Sequence, residues 1–276
     1  MKNGIYLVAT PIGNIGDISL RALEVLKNAE IIACEDTRVT KKLLSLLQIP
    51  QKEKIFVALH DHNENIMAQK IIDEAKDKIV VYMSDAGSPL ISDPGYKLAK
   101  SARKNNVYIT TIPGACAAIC ALQISGLPSN AFMFCGFIPN KDKARIDFLS
   151  KNKDVDATLI FYERADRLLK TLETMAKIFN NREIAVAREI TKLHEECLNG
   201  SPQQLIEHFS VNLPKGEIAV MVAPPAEEPH PADYSRELFE ELQKNNLKAA
   251  VKNIVEKYKL NRNEVYKKAL ELKDNG

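Results

Sequence analysis

The chain has 276 residues, 45% of them apolar, which allows a real core in one large or two medium domains. A formal net charge of +2 rules out advertisement of nucleic-acid binding by global charge, so any basic surface must be local. No apolar stretch approaches the roughly 20 residues that span a bilayer, and Pro11 follows the apolar start too soon for a signal peptide.

Strands and helices alternate through the first half. Ile5–Ala9 reads as a buried strand, followed by the loop Thr10-Pro11-Ile12-Gly13-Asn14-Ile15-Gly16-Asp17. Leu20, Leu23 and Leu26 then trace a helix face, with Asp17 or Ser19 as N-cap. Ile31–Cys34 is a second strand, with a short helix predicted around Thr40–Leu47 and ended by Pro50. Ile55–Leu59, Ile79–Met83 and Val107–Ile112 are three more strands, with helices over Asn65–Lys76 and Tyr96–Lys104. Five apolar strands separated by helices imply a parallel sheet covered on both faces.

The loops after these strands share a character: Thr10-Pro11, Glu35-Asp36, His60-Asp61-His62, Ser84-Asp85 and Pro113-Gly114 are polar or rich in Gly and Pro. A parallel sheet gathers them along one edge, where ligands bind in open α/β folds. The densest is Ser84–Gly95, with two Gly, two Pro and two Asp in twelve residues. Ordinary connections of this kind run to about 2–6 residues, so this stiffened loop reads as a ligand cradle. No complete Gly-x-Gly-x-x-Gly and no Gly-x4-Gly-Lys occurs, which argues against a dinucleotide fingerprint or a P-loop. His60-x-His62 lacks the further partners a metal site needs, and reads as a solvated or hydrogen-bonding pair. The five Cys are odd in number and form no Cys-x-x-Cys, which predicts reduced, buried thiols in a cytosolic protein, with no zinc site.

In the second half, Cys116–Leu122 opens a helix with small residues, so that a ligand can approach its backbone N–H groups. Strands are predicted at Ala131–Gly136, Thr158–Tyr162, Glu183–Ala187 and Glu217–Val222, with more antiparallel pairing than in the first half. The charged run Arg188–Glu196 is either a solvated loop or a wall of a cleft. Ser201-Pro202-Gln203-Gln204 is a capping box with Pro at the first helical position. Neither His-Glu-x-x-His nor Gly-x-Ser-x-Gly is present. The predicted division is 1–115 and 116–226 as two α/β domains, then a proline-rich break, then 233–273 as short helices. Residues 247–273 hold eight Lys and Arg against three Glu, an excess of five positive charges. Such a tail is either a helix-turn-helix-like RNA contact or a helical cap whose lysines keep it soluble.

Four stretches carry a resemblance: Tyr6–Asp17, Cys34-Glu35-Asp36-Thr37-Arg38, Ser84–Gly95 and Ile112–Ala118. Together they resemble the tetrapyrrole-methylase superfamily, and within it the members that act on small-subunit ribosomal RNA. The resemblance covers nearly the whole chain, the basic tail included. It implies two α/β domains with a cofactor cleft between them, plus a small helical extension. It also implies S-adenosylmethionine as cofactor and a homodimer, while the residues themselves lead to the expectation of no metal and no membrane. The activity implied is 2′-O-methylation of a cytidine in the decoding region of 16S rRNA, on the 30S subunit. By motif, the cofactor contacts fall on Pro11, Ile12, Asp85, Ala86, Gly87, Leu90, Cys116, Ala117, Tyr162, Glu163, Ile190 and Ala219. The chain has Asp85-Ala86-Gly87-Ser88 where tetrapyrrole enzymes carry Gly-Gly-Asp-Pro, which moves the expectation from side chains to backbone contacts.

A ribose hydroxyl is a poor nucleophile until a base takes its proton. Glu35, Asp36, Asp85 and Glu189 are the candidates for that base. Arg38, Arg188 and Lys192 are candidates to hold RNA phosphate, with Lys252, Arg262 and Lys267 of the tail. The alternatives are a tetrapyrrole C-methyltransferase, against which the basic tail argues, and an RNA-binding assembly factor without chemistry, which cofactor titration would separate.

Overall fold

The computed structural model describes residues 1–60, 63–180, 182–225, 234–258 and 260–274. These divide into two compact units, Met1–Pro225 and Ala226–Gly276.

The larger unit contains two five-stranded sheets. The first is built from β1 (Gly4–Val8), β2 (Ile31–Cys34), β3 (Ile55–Ala58), β4 (Ile79–Met83) and β5 (Ile109–Ile112) in the order β3-β2-β4-β1-β5. Every neighbouring pair is parallel, as the uninterrupted apolar runs predict. The helices α1 (Leu20–Asn28), α2 (Thr37–Leu46), α3 (Glu64–Glu74) and α4 (Tyr96–Lys104) supply the crossovers. One face of the sheet packs Ile5, Val80 and Tyr82 against Ile71, Ile72 and Leu98. The other packs Val8, Ile32 and Val81 against Val25, Leu26 and Leu44. Each such buried side chain stabilises the fold by about 1.5–3 kcal/mol.

The second sheet holds β6 (Phe132–Phe137), β7 (Thr158–Arg164), β8 (Ile184–Arg188), β9 (Glu196–Gly200) and β10 (Glu217–Val222), in the order β6-β7-β10-β8-β9. Only β6 and β7 run parallel; the other pairs are antiparallel. Helix α5 (Ala117–Ile124) covers one face through Ala118, Ala121 and Leu122. Helices α6 (Asp142–Lys151), α7 (Leu168–Phe179) and α8 (Pro202–Val211) cover the other.

The elements differ from the sequence reading at several points. Helix α2 begins at Thr37 rather than Thr40, because the Asp36 side chain accepts the Arg38 N–H and caps it. Ser19, not Asp17, caps α1 by accepting the Ala22 N–H at 3.1 Å. The fifth strand starts at Ile109; Val107 is core without being strand. Glu163 and Arg164 lie within β7, not after it. Strand β9 and helix α6 have no counterpart in the sequence reading. Of the five thiols, all free, only Cys34 is fully buried. The Ser201 capping box forms, with the Ser201 side chain and Gln204 satisfying each other's backbone N–H.

The smaller unit contains α9 (Ser235–Lys244), α10 (Leu247–Tyr258) and α11 (Arg262–Asp274). Leu238, Val251, Ile254, Val265 and Ala269 form its core. The break at 226–233 and His62 lie outside the described residues. Among the described residues, no helix is long and apolar enough to cross a membrane, and no cluster of side chains is suited to a metal.

Candidate functional site

All five strands of the first sheet end at the same edge, so its loops converge there. Three of those loops are tied together by hydrogen bonds. Thr10 and Gly87 exchange backbone bonds at 2.9 and 3.1 Å, an isolated antiparallel bridge between the first loop and Ser84–Gly95. The Thr10 hydroxyl donates to the Ser84 carbonyl at 3.4 Å. Ser88 donates to the Ala115 carbonyl at 3.0 Å and brings in the loop before α5. At its far end the long loop is anchored by the Tyr82 hydroxyl, which donates to the Pro94 carbonyl at 2.7 Å. The buried Glu64 carboxylate accepts the N–H groups of Gly95, Lys97 and Leu98, and so caps α4 from a neighbouring helix.

Against these loops stands a wall from the second sheet. The turn after β8 approaches Gly13 so closely that a Cβ there would sit 2.5 Å from Lys192 Cγ and 2.8 Å from the Thr191 hydroxyl. Between floor and wall lies a cleft of about 1000 Å³, open mouth included. Left-handed backbone at non-glycine residues concentrates on its two sides: Leu90 (φ 71°) and Ser92 (φ 65°) in the loop, Glu189 (φ 50°) and Thr191 (φ 67°) in the turn. Such conformations persist only where the surroundings enforce them, and they gather at binding sites.

The cleft lining brings together Ile12, Asp85, Ala86, Gly87, Cys116 and Ala117 with Tyr162, Glu163, Ile190 and Ala219. Of the expected cofactor contacts, Pro11 and Leu90 stand outside the lining; Leu90 packs against the core beneath the loop. Two members of this set already have structural work. The Tyr162 hydroxyl accepts the Ala118 N–H at 3.0 Å, and burial pushes its pKa up. Buried Glu163 accepts from the Arg164 N–H, the Arg167 guanidinium and the Thr171 hydroxyl, so its carboxylate is held to its own strand and helix.

The four carboxylates separate into two pairs. Asp85 and Glu189 line the cleft, while Glu35 and Asp36 do not. Asp36 caps α2 and pairs with Arg38 at 2.6 Å; the Arg38 hydrogen bonds hold its carboxyl down to about 2, which makes it a weak base. Burial pushes the Asp85 carboxyl above its usual value, partly offset by a bond from the Asp36 N–H. Glu189 accepts from Lys192 Nζ at 2.9 Å, and that bond lowers its pKa. Its side chain lies over Gly216 (φ 82°), where a Cβ would collide with the carboxylate.

Of the expected phosphate-binding cations, Lys192 lines the cleft. Arg188 donates to Glu196 at 2.6 Å across β8 and β9, and Arg38 is turned to Asp36. Lys252, Arg262 and Lys267 lie exposed on α10 and α11. Sequence reasoning missed Ser88, Ile91, Ser92, Asp93, Phe137, Glu217 and Ile218 in the lining. Four of these sit in the loop already singled out. Phe137 gave no signal, because strict alternation would place it on the face opposite Phe134.

A parallel sheet joined to a mixed sheet, with a cleft between strand-end loops and the second sheet, defines the class. Residues 4–206 match the model of the "Tetrapyrrole (Corrin/Porphyrin) Methylases", and the chain belongs to that family. It is 50% identical over 274 residues to "Ribosomal RNA small subunit methyltransferase I" of Erythrobacter litoralis, covering 99% of this chain and 96% of that one. A protein of the same name from Vibrio cholerae is 42% identical over 97% of this chain and 94% of its own. Among solved structures, a uroporphyrin-III-C-methyltransferase from Thermus thermophilus superposes with a TM-score of 0.56 at 21% identity, covering 80% of this chain and 94% of that one. A diphthine synthase gives 0.62 at 15% identity, covering 79% and 89%. These two share the fold.

Proposed function

We propose that the chain methylates the 2′-oxygen of a cytidine ribose in the decoding region of 16S rRNA, on the 30S subunit in the cytoplasm, with S-adenosylmethionine as donor. Whole-length kinship to small-subunit rRNA methyltransferases carries this reading, since it spans the basic tail as well as the cleft. The cleft suits such a donor. Its floor offers apolar surface and backbone at Ile12, Ala86, Gly87 and Ala117, without the glycine-rich pattern that cradles phosphates. Bound there, the cofactor supplies a methyl group on a positively charged sulfur that becomes a neutral thioether as the new C–O bond forms.

This chain's residues then have three tasks. The clasped loops hold the reactants in line, which lowers the barrier by positioning. Asp85, which lines the cleft, takes the hydroxyl proton; burial raises its pKa, whereas Arg38 holds that of Asp36 down, so Asp85 is the stronger base of the two. Lys192, beside Glu189, supplies positive charge to an RNA phosphate, as do Lys252, Arg262 and Lys267 on the tail helices. The reading includes pairing of two copies, for which exposed Ile66 and Tyr96, at the starts of α3 and α4, offer apolar surface. Mass spectrometry of 16S rRNA after incubation of unmodified 30S subunits with protein and labelled cofactor tests it. A methyl on a cytidine ribose is the expected result, and unlabelled rRNA would refute it.

A further inference from the structure

Strand β6 breaks its alternation next to the cleft. Its pairing with β7 runs Phe132↔Thr158, Met133↔Leu159 and Phe134↔Ile160, then shifts so that Gly136 faces Phe161 and Phe137 faces Tyr162. One residue, Cys135, is extra, and Gly136 takes φ +74°, a conformation that favours glycine. In a regular strand Phe134 and Phe137 point to opposite faces. Here both rings meet Tyr162, with centroids 4.9 and 5.3 Å away and planes tilted by 65° and 62°. The bulge has therefore turned Phe137 onto the cleft side. It also rests against the opposite floor: a Cβ on Gly136 would lie 3.7 Å from the Ser92 hydroxyl.

The outcome is unusual for a large aromatic. Phe137 lines the cleft yet is 56% exposed, whereas Ala219 and Ile218 deeper in the lining are each 3% exposed. Ile91, 41% exposed, is a second large apolar side chain of the lining left open to solvent. A ring fixed by Tyr162 and left open to solvent at the mouth has the form of a stacking platform for a planar heteroaromatic ring. Two such rings come to this cleft under the proposed function: the adenine of the cofactor and the base of the target nucleotide. The observations favour the base. A 2′-hydroxyl of a stacked nucleotide cannot enter a concave cleft while its neighbours remain stacked on it, so the nucleotide must be extruded. Its ribose then points inward and its base is left near the mouth, where Phe137 stands.

We propose that Phe137 is a positioning residue on which the unstacked pyrimidine of the RNA substrate stacks. This rests on the rRNA-methylation reading above. The test compares wild type with Phe137→Leu and Phe137→Tyr in three measurements: S-adenosylmethionine affinity by calorimetry, kcat and KM for methyl transfer to 30S subunits, and thermal melting. Loss of an aromatic stacking partner is expected to lower kcat/KM for 30S subunits by about 10- to 100-fold in the Leu variant. Cofactor affinity and melting are expected to stay at wild-type values, and Tyr is expected to restore turnover. A Leu variant that turns over like wild type overturns the proposal. So does one whose main loss is cofactor affinity, which would give the platform to adenine, or one that melts early together with the Tyr variant, which would make the ring structural. Wild-type protein that binds the cofactor but leaves 30S subunits unmethylated defeats the rRNA reading itself, and the platform with it.

Discussion

Asp85 Oδ1 accepts the backbone N–H of Asp36 at 3.1 Å, joining the loop after β4 to the residue that caps α2. The two strands that lead into these residues are neighbours in register, Cys34 beside Met83. One aspartate thus faces the cleft while the other supports it from outside. Asp85→Asn keeps the acceptor for the Asp36 N–H but loses the proposed base. Methyl transfer is expected to fall by about 10²–10⁴-fold with cofactor affinity retained. A carboxylate acting as that base in wild type works only when ionised. Turnover should therefore be present above the Asp85 pKa and lost as pH falls through it, at a pH above the ordinary carboxylate value. Steady-state rates against pH check both.

Asp36 makes the opposite prediction. Its folded pKa, about 2, lies below the ordinary value of 3.8, so the stability it contributes is present above the latter and lost as pH falls through the former. Asp36→Asn, which keeps an acceptor for the cap, should flatten the acid side of the melting temperature against pH without abolishing turnover.

Glu64→Ala leaves the N–H groups of Gly95, Lys97 and Leu98 without their carboxylate acceptor. Unsatisfied buried donors cost about 1–3 kcal/mol, and chemical denaturation should show a loss of that order. Glu64→Gln, with one acceptor oxygen, should recover part of it.

Gly216→Ala places a methyl group against the Glu189 carboxylate at a backbone angle of φ 82°. The left-handed conformation alone costs about 1–2 kcal/mol, and the collision adds to it. Glu189→Ala in the same chain removes the collision. The double variant should be more stable than the sum of the single losses predicts, and a double-mutant cycle on melting data measures that coupling.

Replacing Lys252, Arg262 and Lys267 together by Ala removes three exposed cations of the smaller unit. If each neutralises one RNA phosphate, the slope of log affinity for 30S subunits against log salt should lessen by about 1 per residue. Cofactor affinity should not change.

What the sequence made legible was local or periodic. The five apolar runs gave the parallel sheet, and Ser201-Pro202-Gln203-Gln204 announced its capping box, because each pattern is complete within a few residues. The punctuation of Ser84–Gly95 marked the cleft floor for the same reason. Strand β9 was hidden because Glu196-Cys197-Leu198-Asn199-Gly200 has no clean alternation and no deeply buried residue; its pairing with β8 defines it. The start of helix α2 at Thr37 is not legible in the sequence, because its cap, Asp36, lies within a motif that has the composition of a loop. The roles of Glu64 and Gly216 depend on partners 31 and 27 residues away in sequence, Gly95 and Glu189, and no local pattern reports them.

The Thr10–Gly87 clasp has a consequence for how any ligand meets this cleft. Two loops that would each have many conformations alone share one backbone geometry once the chain folds. The entropy of ordering them belongs to folding, so it is absent from the free energy of association. The floor is thus preorganised, and a ligand reaching it docks on a ready template. Such binding should show little of the large unfavourable entropy that accompanies coupled folding.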